Sequence, residues 1–312
     1  MRLWTAAAIL AATLAAMPAA AQDKLTLLLD WFVNPDHGPI IVAQQKGYFA
    51  DERLAVDVIA PADPNDPPKL VAAGKADIAV SYQPQTQIQV AAGLPLARIG
   101  TLIATPLNTL LVLESGPIKS IADLKGKKVG FSVSGFEDAL LSFLLAKHGL
   151  SLKDVTLVNV NFSLSPALIT GRVDAVIGAY RNFELNQMAI EKRPGRAFFV
   201  EEEGLPAYDE LVFVAHADKV RDPRLPRFLS AIERGTHFLL NRPDEAWALF
   251  VKAHKALDDE LNRRAWADTV RRFSASPAAL DRGRWERFAA FLQSQGLAKD
   301  LPPLDRYAVV LR

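Results

Sequence analysis

Cysteine is absent from all 312 residues. That excludes disulfides, thiolate metal sites and a cysteine nucleophile, and it leaves no residue for a lipid anchor behind an export signal. Neither sign of charge dominates, with 36 Lys and Arg against 35 Asp and Glu. Nucleic acid and acidic membrane surfaces are therefore not expected as partners. Apolar runs long enough to span a bilayer are missing. The five histidines at 37, 148, 216, 237 and 254 are scattered, with no pair at metal-ligand spacing. No GxxxxGK phosphate loop and no nucleophile–base arrangement is present, so neither an enzyme nor a bound cofactor is expected.

What is there begins with MRLWTAAAILAATLAAMPAAAQ. One cation at Arg2, a short apolar run and small residues at Ala19 and Ala21 predict a signal peptide over residues 1–21, cleaved before Gln22. An exported, disulfide-free and unanchored chain points to the bacterial periplasm. Half of the residues are hydrophobic and 23% are charged, as in a soluble globular protein. The length accommodates two domains of ordinary size.

Short apolar runs alternate with helical patterns. LTLLL (25–29), LAVDVIAP (54–61), ADIAV (76–80) and LARIGTLIA (96–104) read as strands; residues 38–49, 69–74 and 85–93 read as helices. The same grammar restarts near residue 117, with FEDALLSFLLAKHG (136–149) as an amphipathic helix and VTLVNV and VDAVIG as strands. One phrase occurs twice. GKADIAVSY (74–82) returns as GRVDAVIGAY (171–180), with Gly closing a helix and Asp opening a buried strand that ends in Tyr82 or Tyr180. From 210 a strand is followed by mostly helical sequence. This grammar predicts an α/β chain of two lobes: residues 22–112 as the first part of lobe I, 113–209 as lobe II, and 210–312 completing lobe I with C-terminal helices. Two crossings, near 108–117 and 204–211, make a hinged clamp.

Open α/β sheets bind ligands beyond the carboxyl ends of their strands. DWFVNPDHGP (30–39) stands at such an end and offers Trp31, Asn34 and His37; Trp31 as core and Asn34-Pro35-Asp36 as a plain turn are the structural alternatives. Tyr82 and Tyr180 could sandwich one ring, or merely end their strands. Ser134, with Glu137 three residues on, reads as a capping box whose free amides could also face the cleft. Glu184 could accept hydrogen bonds from a heterocycle, or be a first-turn helix acid.

LLLDWFVNPDHGPIIVAQQKGYF, AGKADIAVSYQPQ, LKGKKVGFSV and GRVDAVIGAYRNFE together resemble the thiamine-pyrimidine group of periplasmic-binding-protein-like chains. The resemblance covers roughly residues 24 to 215. It implies the two-lobed periplasmic-binding-protein type II fold. It also implies a monomer that carries hydroxymethylpyrimidine or formylaminopyrimidine to the permease of an ABC importer in the inner membrane. Trp31, Asn34, Tyr82, Tyr180 and Glu184 are the pyrimidine contacts it suggests, with His37 matching the histidine of the first motif. The other branch of the group, the fungal-type pyrimidine synthases, consumes pyridoxal phosphate. Their Lys and His after the GKxD strand are replaced here by Ser81 and Gln85, so the Schiff-base amine is lost. More distant relatives bind nitrate, taurine or alkanesulfonates. That alternative requires Arg98, Arg172 or Arg181 to point into the cleft, and a related aromatic such as riboflavin remains a further candidate solute.

Overall fold

The computed structural model describes residues 22–311, so the signal peptide read over residues 1–21 lies outside the described residues. The first lobe opens with β1 (Asp23–Leu28), α1 (Gly38–Gln45), α2 (Tyr48–Asp51), β2 (Leu54–Ile59), α3 (Pro67–Ala72), β3 (Ile78–Ser81), α4 (Gln83–Ala91) and β4 (Leu96–Ile103). The second comprises β5 (Asn108–Leu113), β6 (Lys128–Phe131), α5 (Glu137–Lys147), β7 (Thr156–Asn159), α6 (Leu164–Ile169), β8 (Ala175–Tyr180), α7 (Glu184–Ile190) and β9 (Gly195–Phe199). The chain then returns through β10 (Leu211–His216) and ends with α8 (Arg224–Asn241), α9 (Pro243–Ala253), α10 (Glu260–Thr269) and α11 (Arg282–Ser294).

Two five-stranded sheets result, in the orders β2-β1-β3-β10-β4 and β7-β6-β8-β5-β9. In each, the strand that follows a crossing runs antiparallel to its neighbours: β10 against β3 and β4, β5 against β8 and β9. The other pairings are parallel. Helices pack on the sheets and bury strands such as β3, β4, β5, β8 and β10 as near-continuous apolar runs, while β2, β7 and β9 stay partly exposed.

The twice-written phrase has a physical reason. Gly74 and Gly171 end α3 and α6 in the left-handed conformation, with φ of 71° and 73°. The Asp three residues on then ties its strand to the neighbour. Asp77 Oδ2 accepts from Thr26 N at 2.9 Å, and Asp174 Oδ2 accepts from Lys128 N at 2.8 Å. β3 and β8 take the same central place in their sheets, and Tyr82 and Tyr180 follow or end them at the rim.

The first crossing spans 104–107, earlier than the 108–117 read from sequence. NTLLVL is a full strand of the second sheet, paired on both sides. The second crossing spans 200–210. Glu210 fastens the two together, its Oε2 accepting from Leu107 N at 2.5 Å, Asn108 N at 3.0 Å and Tyr208 Oη at 3.1 Å. The helical tail also touches both lobes. α8 lies along α1, while Phe291 of α11 meets Phe143 of α5 edge-on at 4.9 Å.

Candidate functional site

A cleft of about 440 Å³, its mouth included, lies between the lobes. Asp30, Trp31, Asn34, Asp36 and Tyr82 line it from the first lobe; Asn108, Phe136, Glu137, Leu164, Gly178, Tyr180, Phe183 and Glu184 line it from the second. Four of these carry carboxyl groups and none is Lys or Arg.

The first-lobe wall hangs from the end of β1. Asn34 caps a 3-10 turn over Pro35–His37, its Oδ1 accepting from Asp36 N at 2.8 Å. His37 is fully buried and does not line the cleft. Its Nδ1 accepts from Asn34 N at 3.3 Å, which leaves the proton on Nε2 to bond Asp30 Oδ1 at 3.0 Å. Tyr82 Oη donates to the other oxygen, Asp30 Oδ2, at 3.0 Å. His37 thus orients Asp30 from behind, where sequence had suggested a ligand contact.

On the second lobe, Phe136-Glu137 opens α5 and Phe183-Glu184 opens α7, and all four residues face the cleft. Glu137 Oε2 accepts from Ser132 N at 2.7 Å and Val133 N at 3.1 Å. Glu184 Oε2 accepts from Tyr180 N at 2.6 Å. Ser134 differs from expectation: it is exposed, stands outside the cleft lining, and its amide donates to Asn65 Oδ1 at 2.8 Å. No side-chain cap forms at the start of α5, and Glu137 reaches back instead to the amides of the loop that precedes the helix.

Burial removes water from these carboxyls and favours their neutral forms. It pushes Glu137 up to about 8 and Glu184 up to about 7, despite the amides that bond each. Asp36 is raised to about 6 by burial, opposed by the nearby His37 and by hydrogen bonds from Thr269 and Asn182.

Aromatic rings close the gap. Tyr82 stacks on Phe136 across the cleft, with centroids 5.1 Å apart and planes 20° off parallel, so its partner is Phe136 and not Tyr180. Tyr180 Oη instead donates to Glu210 Oε1 at 3.3 Å. Trp31 meets Phe162 edge-on at 4.6 Å. Asn108, which sequence reading missed, accepts from Gly178 N at 3.1 Å while its Nδ2 is buried with no protein partner. A buried donor without an acceptor is costly, and a ligand acceptor would remove that cost.

The cations that an anion site requires are elsewhere. Arg98 is buried in the first lobe among the carbonyls of Pro277, Ala278, Ala279 and Val309. Arg172 is exposed. Arg181 pairs with Glu201 at 2.6 and 2.8 Å and lies over the Phe199 ring at 4.4 Å.

Two lobes, two crossings and a cleft of this kind define the periplasmic-binding-protein fold. The alkanesulfonate-binding protein SsuA of Xanthomonas axonopodis pv. citri, solved with MOPS, superposes with a TM-score of 0.70 over 94% of this chain and 98% of its own, at 19% identity. Residues 34–246 match the family described as NMT1/THI5 like, and the chain belongs to that family. A Haemophilus influenzae protein that carries a provisional thiamine-biosynthesis name is 55% identical over 94% of each chain. The formylaminopyrimidine-binding protein of Halalkalibacterium halodurans is 33% identical over 72% of this chain and 69% of its own. The 4-amino-5-hydroxymethyl-2-methylpyrimidine phosphate synthase of Uromyces fabae is 32% identical over 77% and 74%. Among the described residues no helix is long and apolar enough to cross a membrane.

Proposed function

We propose that this protein is the solute-binding component of an ABC importer in the periplasm, and that it holds a small aminopyrimidine between its lobes until it docks on the permease. The observation that carries this reading is the cleft lining. Four carboxyl groups, one unpartnered amide donor and several aromatic rings converge there without a single Lys or Arg. Such a lining suits a flat heterocycle rich in N–H groups, bound by stacking and edge hydrogen bonds. A relative named for binding formylaminopyrimidine supports the ligand class. Closure requires only that the ligand prefer the closed pair of lobes to the open one.

Thermal melts of the mature protein test this against formylaminopyrimidine, hydroxymethylpyrimidine, thiamine, riboflavin, taurine and nitrate. A one-site ligand at 100 times its Kd adds about 2.7 kcal/mol. Stabilisation by a pyrimidine is expected; stabilisation by taurine or nitrate alone would overturn the assignment.

The synthase relatives favour a second reading, in which a pyrimidine is made and not carried. Ser81 and Gln85 weigh against it: their side chains bond each other at 2.9 Å, both buried, and neither supplies an amine. Pyridoxal phosphate added to the protein is expected to keep its free absorbance; a shifted, protein-bound band would restore the enzyme reading.

A further inference from the structure

We propose that Glu137 reads the ligand as a neutral acid, with Oε2 held by the protein and Oε1 donating its proton to an acceptor atom on the ligand's edge. This deepens the pyrimidine reading and rests on it. The ligand class becomes narrower: a ring or amide edge with an acceptor beside an N–H donor.

The argument starts at Gly178. Its φ is +96°, a conformation that side-chain-bearing residues rarely adopt, and it has no Cβ. A Cβ built there would run first into Oε1 of the Glu137 carboxyl, and even Oε2 would stand only 2.7 Å away. The carboxyl group therefore occupies the room left by the missing side chain, pressed against the end of β8. An isolated glycine inside a strand often marks such a close approach.

The two oxygens are then distinguishable. Ser132 N and Val133 N both donate to Oε2, which fixes it as an acceptor. Oε1 has no protein partner among the described residues, and Glu137 lines the cleft. A proton on this group belongs on Oε1, the oxygen packed against Gly178 at the cleft wall. Burial and the absence of a cation in the lining favour that proton, as does the like charge of Asp138 and Glu184 nearby. Tyr82, Asp30 and Asp36 are the titratable groups that line the cleft opposite it from the first lobe. A carboxylic acid kept neutral in apolar surroundings serves as a hydrogen-bond donor.

Asn108, at the start of neighbouring β5, offers a donor in its Nδ2, since its amide oxygen already holds Gly178 N. Glu184 holds Tyr180 N two residues on, with its other oxygen free to accept from a ligand N–H. Around the end of β8, Glu137 and Asn108 thus offer donors and Glu184 an acceptor, a mixed pattern that an acceptor-only anion does not match.

Glutamine imitates a neutral acid: its carbonyl can take the two amides while its NH2 enters the cleft. With formylaminopyrimidine as probe, Glu137→Gln is expected to bind within about threefold of the parent, whereas Glu137→Leu loses at least about tenfold, or about 1.4 kcal/mol. Melting curves establish that both variants are folded. A Gln variant as impaired as the Leu variant would overturn the proposal, because the ionised form would then be the one that binds. A second readout needs no ligand. Infrared difference spectra of parent minus Glu137→Gln at pH 7 are expected to contain a protonated-carboxyl C=O band. Its absence would overturn the proposal independently. The band present with the probe unbound would uphold the neutral acid and remove only the pyrimidine reading.

Discussion

Asp36 of the first lobe accepts a hydrogen bond from Asn182 of the second, Oδ1 to Nδ2, at 2.6 Å. Thr269 at the end of α10 joins them, receiving from Asn182 at 2.6 Å and lying 3.0 Å from the same Asp36 oxygen. All three are buried, and Asn182 comes two residues before Glu184. The contact is a clasp between lobes beside the ligand cleft, with the helical tail as its third member.

Removing the acceptor leaves buried donors unpaired, at a cost of about 1–3 kcal/mol to the closed form alone. Asp36→Ala is therefore expected to speed ligand release about tenfold or more and to enlarge the unliganded radius of gyration in small-angle scattering. Thr269→Val, which does not touch the cleft, is expected to shift both in the same direction by less. Stopped-flow release and scattering check this; an unchanged release rate in both variants removes the clasp.

Glu184→Gln is expected to weaken aminopyrimidine binding by about 1.5–3 kcal/mol, since it replaces a charge-assisted acceptor. Calorimetric titration measures the loss. The contrast with Glu137→Gln is the telling feature, because two carboxyls in the same local setting are assigned opposite protonation in the complex.

Gly178→Ala introduces a Cβ at φ +96° against the Glu137 carboxyl. Strain of that type costs about 1–3 kcal/mol. The variant is expected to melt earlier and to lose ligand binding; an unchanged melting temperature would mean that the strand end yields at no cost.

Stability should fall as pH rises through the neutral range. Asp36 rises from 3.8 to about 6, Glu137 from 4.5 to about 8, and Glu184 and Glu210 from 4.5 to about 7. Each folded value exceeds its unfolded one, so the folded state binds more protons between them and stability decreases with pH across that window. Asp63, Asp123 and Asp154 are lowered by local hydrogen bonds and act below pH 4 in the opposite sense. The ligand-free protein is therefore expected to be more stable near pH 5 than near pH 8, by at least about 2 kcal/mol. Denaturant midpoints at the two pH values decide; a midpoint that rises toward pH 8 contradicts these shifts.

The regular part of this architecture is legible in the sequence, because buried strands and C′ glycines leave local signatures. The GKAD and GRVD phrases predict two equivalent strands, and the tyrosines after them do line the cleft. The polar floor is less legible. Asn108 falls in a stretch read as a crossing, and nothing local reveals that its amide is unpaired. Glu137 sits three residues after Ser134 and so imitates a capping box; its inward turn depends on the room at Gly178, 41 positions further along the chain. The signals that could have found it are the glycine interrupting AVIGAY and the Phe-Glu pair that starts both α5 and α7. His37 behind Asp30, and Thr269 reaching Asp36 from the far end of the chain, are long-range contacts without a local signature.

The most direct test of the central claim is calorimetric titration of residues 22–312 with formylaminopyrimidine and, separately, with taurine. One-to-one binding of the pyrimidine with a negative heat-capacity change, and no heat from taurine, is the result this structure predicts. Saturable binding of taurine, with the pyrimidine inert, would contradict it.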